Sequence, residues 1–287
     1  MDDVGSYYDR TTRSFLRFGR GSAGTGAIHR AIWAPGVTSQ EEALDYVHKR
    51  ITAALARHGC SGPKAHLVDL GCGVGGSVLR VQGLTGARVS GLTLSAWQAG
   101  EAERRIASAG AGDRVQVVQG DFSDPRDLGK LSGGVPVDAV WMIESYNHGA
   151  DLPALLAGIR GMLRPGGLLI IVDDMPEPRL VDGPLTRRER FWRREFFEGW
   201  HVHTRQPPAR LDRECRIHGL QAVQEEDWSD AAAINRPRDY LVRMIAGPAA
   251  LMGLRRGGWD NIRGGNALQR LSRRGLVRYR MRVYRRD

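Results

Sequence analysis

The chain has 287 residues, with 42 Lys+Arg against 32 Asp+Glu, a formal charge of +10 and 41% hydrophobic residues. That apolar content supports one large core, or a core with a small cap, and excludes disorder as the dominant state. Runs such as Leu168–Val172 fall far short of the ~20 apolar residues of a membrane span; MDDVGSYYDR is too polar for a secretory signal; and Cys60, Cys72 and Cys215 are too few and scattered for a disulfide framework or a zinc site, so the expected location is the cytoplasm.

Residues 1–60 read as helix and loop. A glycine-rich break, Gly19–Gly26, separates Tyr7–Phe18 from Ile28–Gly36, and Ser39 caps a helix running to about His58, with Glu41 and Glu42 in its first turn. From residue 66 strands and helices alternate. Strands are predicted at His66–Leu70, Arg88–Leu94, Val115–Gln119, Val137–Ile143 and Leu168–Asp173. The helices between them are Gly76–Gln82, Ser95–Ala109, Asp124–Leu131 and Leu152–Leu163, the last stopped by Pro165-Gly166-Gly167. Such repeats imply an α/β fold with a parallel sheet and helices on both faces.

Residues 174–210 break the alternation and are rich in aromatics and arginine. Within them Arg187–Trp200 reads as an amphipathic helix on which Trp192, Phe196 and Trp200 share a stripe, an arrangement that usually marks core. Leu211–His218 reads as a helix, Gln221–Trp228 as a strand, and two helices then lead to a final strand, Leu276–Arg285. Residues 231–287 carry 14 arginines and three acids, so the net basicity belongs to this segment. It could bind a phosphate or nucleic acid; a solvated basic face is the plain alternative. Arg278, Arg280 and Arg282 alternate with Val277, Tyr279, Met281 and Val283, which is strand periodicity with the arginines on one face.

The strongest motif is Val68-Asp69-Leu70-Gly71-Cys72-Gly73-Val74-Gly75-Gly76, where an apolar strand runs into G-x-G-x-x-G and a helix follows. Glycines allow a tight turn and close approach of backbone to a ligand, and the helix start adds unpaired N–H groups. Alone the glycine pattern would also suit a dinucleotide enzyme. Asp69, inside the strand two residues before the first glycine, suits an ammonium group better than a pyrophosphate. D-L-G-C-G-x-G resembles the first motif of the class I S-adenosylmethionine (SAM) dependent methyltransferases. Gly120-Asp121-Phe122 after the third strand and Arg164-Pro165-Gly166-Gly167 before the fifth agree with that family in order and spacing. The resemblance covers about residues 61–175 firmly and the C-terminal strands loosely. Where many members carry an acid at the end of the second strand, this chain has Thr93-Leu94-Ser95 and Gln98. Gly91-Leu92-Thr93-Leu94-Ser95-Ala96-Trp97-Gln98 is similar to a segment of the subgroup that includes sterol, tocopherol and isoprenyl diphosphate C-methyltransferases.

The resemblance implies a Rossmann-like seven-stranded sheet with the last strand antiparallel. It implies an N-terminal helical lid (1–60), a SAM-binding core (61–175), a substrate cap insertion (176–210) and a C-terminal completion of the core (211–287). It implies SAM contacts at Asp69, Gly71, Gly73, Thr93, Leu94, Gln98, Asp121 and Phe122. Lid and cap side chains, namely Tyr8, His29, Trp33, His148, Trp192, Phe196 and Trp200, would line the acceptor cavity. Glu144, ending the fourth strand, resembles the catalytic base of the isoprenyl diphosphate enzymes, where ligands bind beyond the carboxyl ends of the strands; a carboxylate that merely hydrogen-bonds the lid is the alternative. His148, His201 and His203 have no acid or cysteine pattern around them to define a metal site. The expected reaction is C-methylation of an isoprenyl diphosphate (farnesyl, geranyl or isopentenyl), through a carbocation that Glu144 deprotonates, with Mg²⁺ held mostly by phosphate oxygens. N- or O-methylation of another small natural product is the alternative. A nucleic-acid methyltransferase lacks an appended RNA-binding module here, and a SAM-binding protein without catalysis would not need Glu144. The expected partner is an anionic small molecule, with no nucleic acid, no membrane span, and self-association left open.

Overall fold

The computed structural model describes Gly26, residues 29–232 and residues 259–287. Tyr8, the Tyr7–Phe18 segment and most of the first helix expected after residue 231 lie outside the described residues. Seven strands form one sheet in the order β3-β2-β1-β4-β5-β7-β6. They are β1 (His66–Leu70), β2 (Arg88–Thr93), β3 (Val115–Gln119), β4 (Val137–Ile143), β5 (Leu163–Pro176), β6 (Leu220–Asp227) and β7 (Val277–Arg286). β1 to β5 pair parallel, and β7 runs antiparallel between β5 and β6. The strand order reverses beside β1, so the carboxyl ends of β1 and β4 flank a crevice, the place where open α/β sheets bind ligands.

Among the described residues the helices are α1 (Gln40–Arg57), α2 (Gly76–Thr85), α3 (Ala96–Ser108), α4 (Pro125–Ser132), α5 (Leu152–Met162), α6 (Pro178–Val181), α7 (Arg187–Gly199), α8 (Pro208–Ile217) and α9 (Trp259–Ser272). Ser39 closes a capping box with Glu42 at the start of α1. The apolar stripe Leu44, Val47, Ile51 and Leu55 is buried, and most of it packs with Leu67, Val89 and Trp141 of the sheet. The second part of the expected lid segment thus packs its apolar stripe on the sheet. On the other sheet face Val68, Val140, Leu169 and Ile171 pack with α4, α5 and α8. β1 is buried along its whole length, which is why it reads as a short apolar run without alternation.

Two details depart from expectation. β5 begins at Leu163, paired with Val137, and Arg164–Gly167 form a bulge inside it, with Gly166 at φ +75°, instead of a separate stop before the strand. The stripe Trp192, Phe196 and Trp200 packs against α9. Trp192, Phe196 and Phe197 are buried with Ala267, Leu268 and Leu271 of α9, and Trp200 packs against that cluster. A Cβ on Gly264 would come within 2.3 Å of the Trp200 ring. An apolar stripe on α7 needs a partner surface, and α9 supplies it. The guanidinium of Arg274 stands 4.4 Å from the Trp192 ring centroid and covers its outer face.

Candidate active site

The glycine loop leaves β1 with Gly71, Gly73 and Gly75 at φ +92°, +57° and +83°, conformations in which a Cβ is unfavourable. The N–H groups of Gly71 and Cys72 both donate to the Leu92 carbonyl, 2.9 Å each, tying the loop to β2. A Cβ at Gly71 would lie 2.4 Å from Cβ of Ser145, so the loop passes against the residue after Glu144. Asp69 is 1% exposed beneath the loop and accepts a hydrogen bond from the Ser77 hydroxyl. Burial pushes its carboxyl up to about 7, against the opposing pull of that hydrogen bond. At the ends of the next two strands Thr93 Oγ1 donates to Gln98 Oε1 at 2.6 Å, Ser95 caps α3, and Leu94 is half-buried. Asp121 is exposed, accepts from the Ser123 N–H at 2.8 Å, and Phe122 beside it packs on the core. All eight residues expected to hold the cofactor thus stand at the carboxyl ends of three adjacent strands.

Glu144 stands at the end of β4, across the strand-order reversal from that loop. Its φ is +51°, a left-handed conformation that costs a non-glycine residue ~1–2 kcal/mol. Its N–H donates to the Val172 carbonyl at 2.8 Å. Its Oε1 accepts from the Arg30 backbone N–H at 2.8 Å and from the Tyr279 hydroxyl at 2.9 Å. Beside it lie two buried acids at the end of β5. Asp173 accepts from the side-chain amide of Asn147 at 2.7 Å, and Asp174 pairs with the Arg30 guanidinium. Burial and the neighbouring Asp174 push the Asp173 carboxyl well above the usual range. Arg30, Asn147, Asp173, Asp174 and Tyr279 went unassigned in the sequence. Two acids closing an apolar strand were the one legible signal.

The expected acceptor residues scatter. His29 is buried, with Nδ1 3.0 Å from the Arg30 carbonyl and Nε2 3.3 Å from Nε2 of His48. Burial and His48 hold it down at about 4. His148, in the 3-10 turn Tyr146–His148 after Glu144, is half-buried and held at about 4 by burial, its Nδ1 3.3 Å from the His201 carbonyl. Both are therefore neutral at pH 7. Trp33 is 39% exposed, because its N–H pairs with the Ala231 carbonyl and turns the ring outward from the strap formed by residues 29–37. Trp192, Phe196 and Trp200 are core, as described. Among the described residues no group of three or more His, Cys, Asp or Glu could hold a metal ion.

The strand arginines are engaged by the protein's own acids. Arg280 pairs with Glu177, Glu225 and Asp227, Arg282 with Asp212 and Glu225, and Arg278 with Asp227. The register places Asp227 opposite Arg280 and Glu225 opposite Arg282, as cross-strand pairs. Arg263 of α9 pairs with Glu195 of α7. These described arginines hold the C-terminal elements together.

Replacing Asp69 tests the loop's electrostatics. Its folded carboxyl titrates near 7 against an ordinary value of 3.8. The native state therefore binds the proton more tightly than the unfolded chain, and ionised Asp69 costs stability as pH rises from about 4 through 7. Asp69→Asn should stabilise the ligand-free protein at pH 8 by up to about 4 kcal/mol and have little effect at pH 4. Denaturant unfolding at the two pH values checks this, and a variant weaker than wild type at pH 8 would refute it.

This sheet, with a glycine loop after its first strand, is the architecture of the class I SAM-dependent methyltransferases. Residues 67–167 match the Methyltransferase domain family. It is 30% identical over 186 residues to the O-methyltransferase cnsE of Penicillium expansum, covering 65% of this chain and 63% of that protein. It is 32% identical over 193 residues to the geranyl diphosphate 2-C-methyltransferase of Streptomyces lasalocidi, covering 62% of each. Both matches thus span less than two thirds of the relative's length. Among solved structures, a geranyl diphosphate C-methyltransferase from Streptomyces coelicolor A3(2), crystallised with Mg²⁺, geranyl diphosphate and S-adenosyl-L-homocysteine, superposes with a TM-score of 0.66 at 22% identity, over 98% of each chain.

Proposed function

We propose that this protein is a SAM-dependent methyltransferase that C-methylates the alkene of an isoprenyl diphosphate, with Glu144 as the general base. The observation carrying the reading is Glu144 itself. Glu144 ends β4 next to β1 and its glycine loop, its backbone held at positive φ and one carboxylate oxygen fixed by two donors. The residues at the ends of β1 to β3 fit the cofactor. A buried carboxyl pushed up to about 7 gains by facing a cationic amine, and Thr93, Gln98 and Asp121 present polar groups for a ribose and a base. Bound there, SAM would supply an electrophilic methyl group on a sulfonium.

The chain's own residues have three tasks. The strap and the ends of β4 and β5 exclude water, since Arg30, Asp173 and Asp174 are buried. Holding acceptor and methyl donor in line lowers the barrier by removing orientational freedom. Glu144 takes the proton that restores the double bond after the new carbon–carbon bond leaves a tertiary carbocation on the acceptor. The division into lid, core, cap and C-terminal completion belongs to the same reading. Because Arg278, Arg280 and Arg282 are engaged, a diphosphate would draw on other cations of the chain, and any magnesium ion on the phosphate oxygens. The similarity to an O-methyltransferase favours a second reading, in which Glu144 deprotonates a hydroxyl.

Methyl-labelled SAM incubated with geranyl, farnesyl and isopentenyl diphosphate, each beside its free alcohol, separates these readings. We expect label in a carbon-methylated diphosphate, with affinity that weakens as salt rises. Equal turnover of the free alcohols, or label on oxygen, would overturn the isoprenyl diphosphate reading.

A further inference from the structure

Glu144 is held from two directions, and the two holders touch each other. Oε1 receives the Tyr279 hydroxyl from β7 and the peptide N–H of Arg30 from the strap. Two donors on one oxygen require that oxygen to accept. Burial and the negative charge of Glu144 raise the Tyr279 hydroxyl well above its ordinary range, so it remains a donor. The Arg30 guanidinium lies over the Tyr279 ring, 4.9 Å from its centroid, and its far end is paired with Asp174. Among the described residues, Oε2 has no hydrogen-bond partner.

We infer that Tyr279 and Arg30 are positioning residues that make the base depend on the strap: with the strap seated, both donors bind Oε1 and leave Oε2 as the proton-accepting oxygen. If the strap lifts, Oε1 loses the Arg30 N–H and the Tyr279 ring loses its cation, so the carboxylate is set only over an enclosed acceptor. The inference rests on the reading of Glu144 as the base.

The test is a double-mutant cycle with geranyl, farnesyl and isopentenyl diphosphate as acceptors, together with an infrared measurement on the ligand-free protein. Tyr279→Phe keeps the ring under Arg30 and removes only the hydroxyl. A hydrogen bond to a charged group carries enough free energy for about a 10–100-fold fall in kcat, with SAM affinity and KM unchanged. In the Glu144→Gln background Tyr279→Phe should cost nothing further, whereas a merely structural role would multiply the two losses. The infrared difference between wild type and Glu144→Gln isolates the Glu144 carboxylate band. Tyr279→Phe should shift that band to higher frequency, and Asp174→Asn, which loosens the strap without touching Glu144, should broaden it. Should Tyr279→Phe not fold, Asp174→Asn carries both readouts. Near-native turnover of Glu144→Gln would remove the base reading itself. A slow Glu144→Gln combined with a native-like Tyr279→Phe, or with multiplied losses, would overturn only this inference. If none of the acceptors is methylated, an unmoved carboxylate band overturns it alone.

Discussion

Glu144→Gln should lower methyl transfer by about 10²–10⁴-fold while leaving SAM affinity within a few-fold of wild type, the usual contribution of a general acid–base group. Glutamine preserves the length of the side chain and can still accept the Arg30 and Tyr279 hydrogen bonds through its carbonyl oxygen. The position of Oε2 becomes an amide nitrogen, which donates and cannot take a proton. No expected cofactor contact involves Glu144, so calorimetry with SAM should see little change. Product analysis adds a second readout, because a cation denied its base is diverted to hydrated or cyclised products. Native turnover to the native product would make Glu144 structural, with His29 the nearby group to test next.

Gly71→Val should reduce SAM affinity by at least about 100-fold, and it should also destabilise the fold. The new Cβ would sit 2.4 Å from Ser145 Cβ, with φ at +92°. Displacing the loop and holding a branched residue in that conformation costs ~3 kcal/mol, which alone corresponds to about 100-fold. Ser145 cannot yield easily, because its hydroxyl donates to the Leu70 carbonyl at 2.5 Å. The substitution therefore disturbs the neighbour of Glu144 as well as the loop. Gly133→Ala is the matched control. It also has positive φ, +59°, but a Cβ there meets nothing within 4 Å. It should leave SAM affinity unchanged in calorimetry. Equal affinity of Gly71→Val and wild type would dissociate the loop from the cofactor.

The cofactor half of the site was legible because it is local. Strand β1, the glycine turn and the start of α2 lie within twenty consecutive residues, and each step has its own residue signature. Ser39, Ser95 and Asp124 likewise announced the starts of α1, α3 and α4, because a capping side chain acts within three residues. The second half depends on pairing across the chain. Tyr279 reaches Glu144 only because β7 runs antiparallel to β5 with Tyr279 opposite Asp174, a register that alternation in 277–283 cannot reveal. The same alternation showed the arginines on one face but not that Asp227, Glu225 and Asp212 would meet them. The stripe on α7 was readable as a face, whereas its partner α9, which begins some sixty residues later, was not. The setting of Trp33 was hidden for a similar reason. Its strap pairs with residues 231 and 232, which turns the indole outward.

A crystal structure of the protein with S-adenosyl-L-homocysteine bound tests the assigned cofactor site and its relation to Glu144. The amino acid end should lie near Asp69, the ribose near Thr93 and Gln98, the adenine beside Asp121 and Phe122, and the sulfur turned toward Glu144, whose Oε1 still accepts from Arg30 and Tyr279. A ligand seated elsewhere on the sheet, or a sulfur facing away from Glu144, would contradict it.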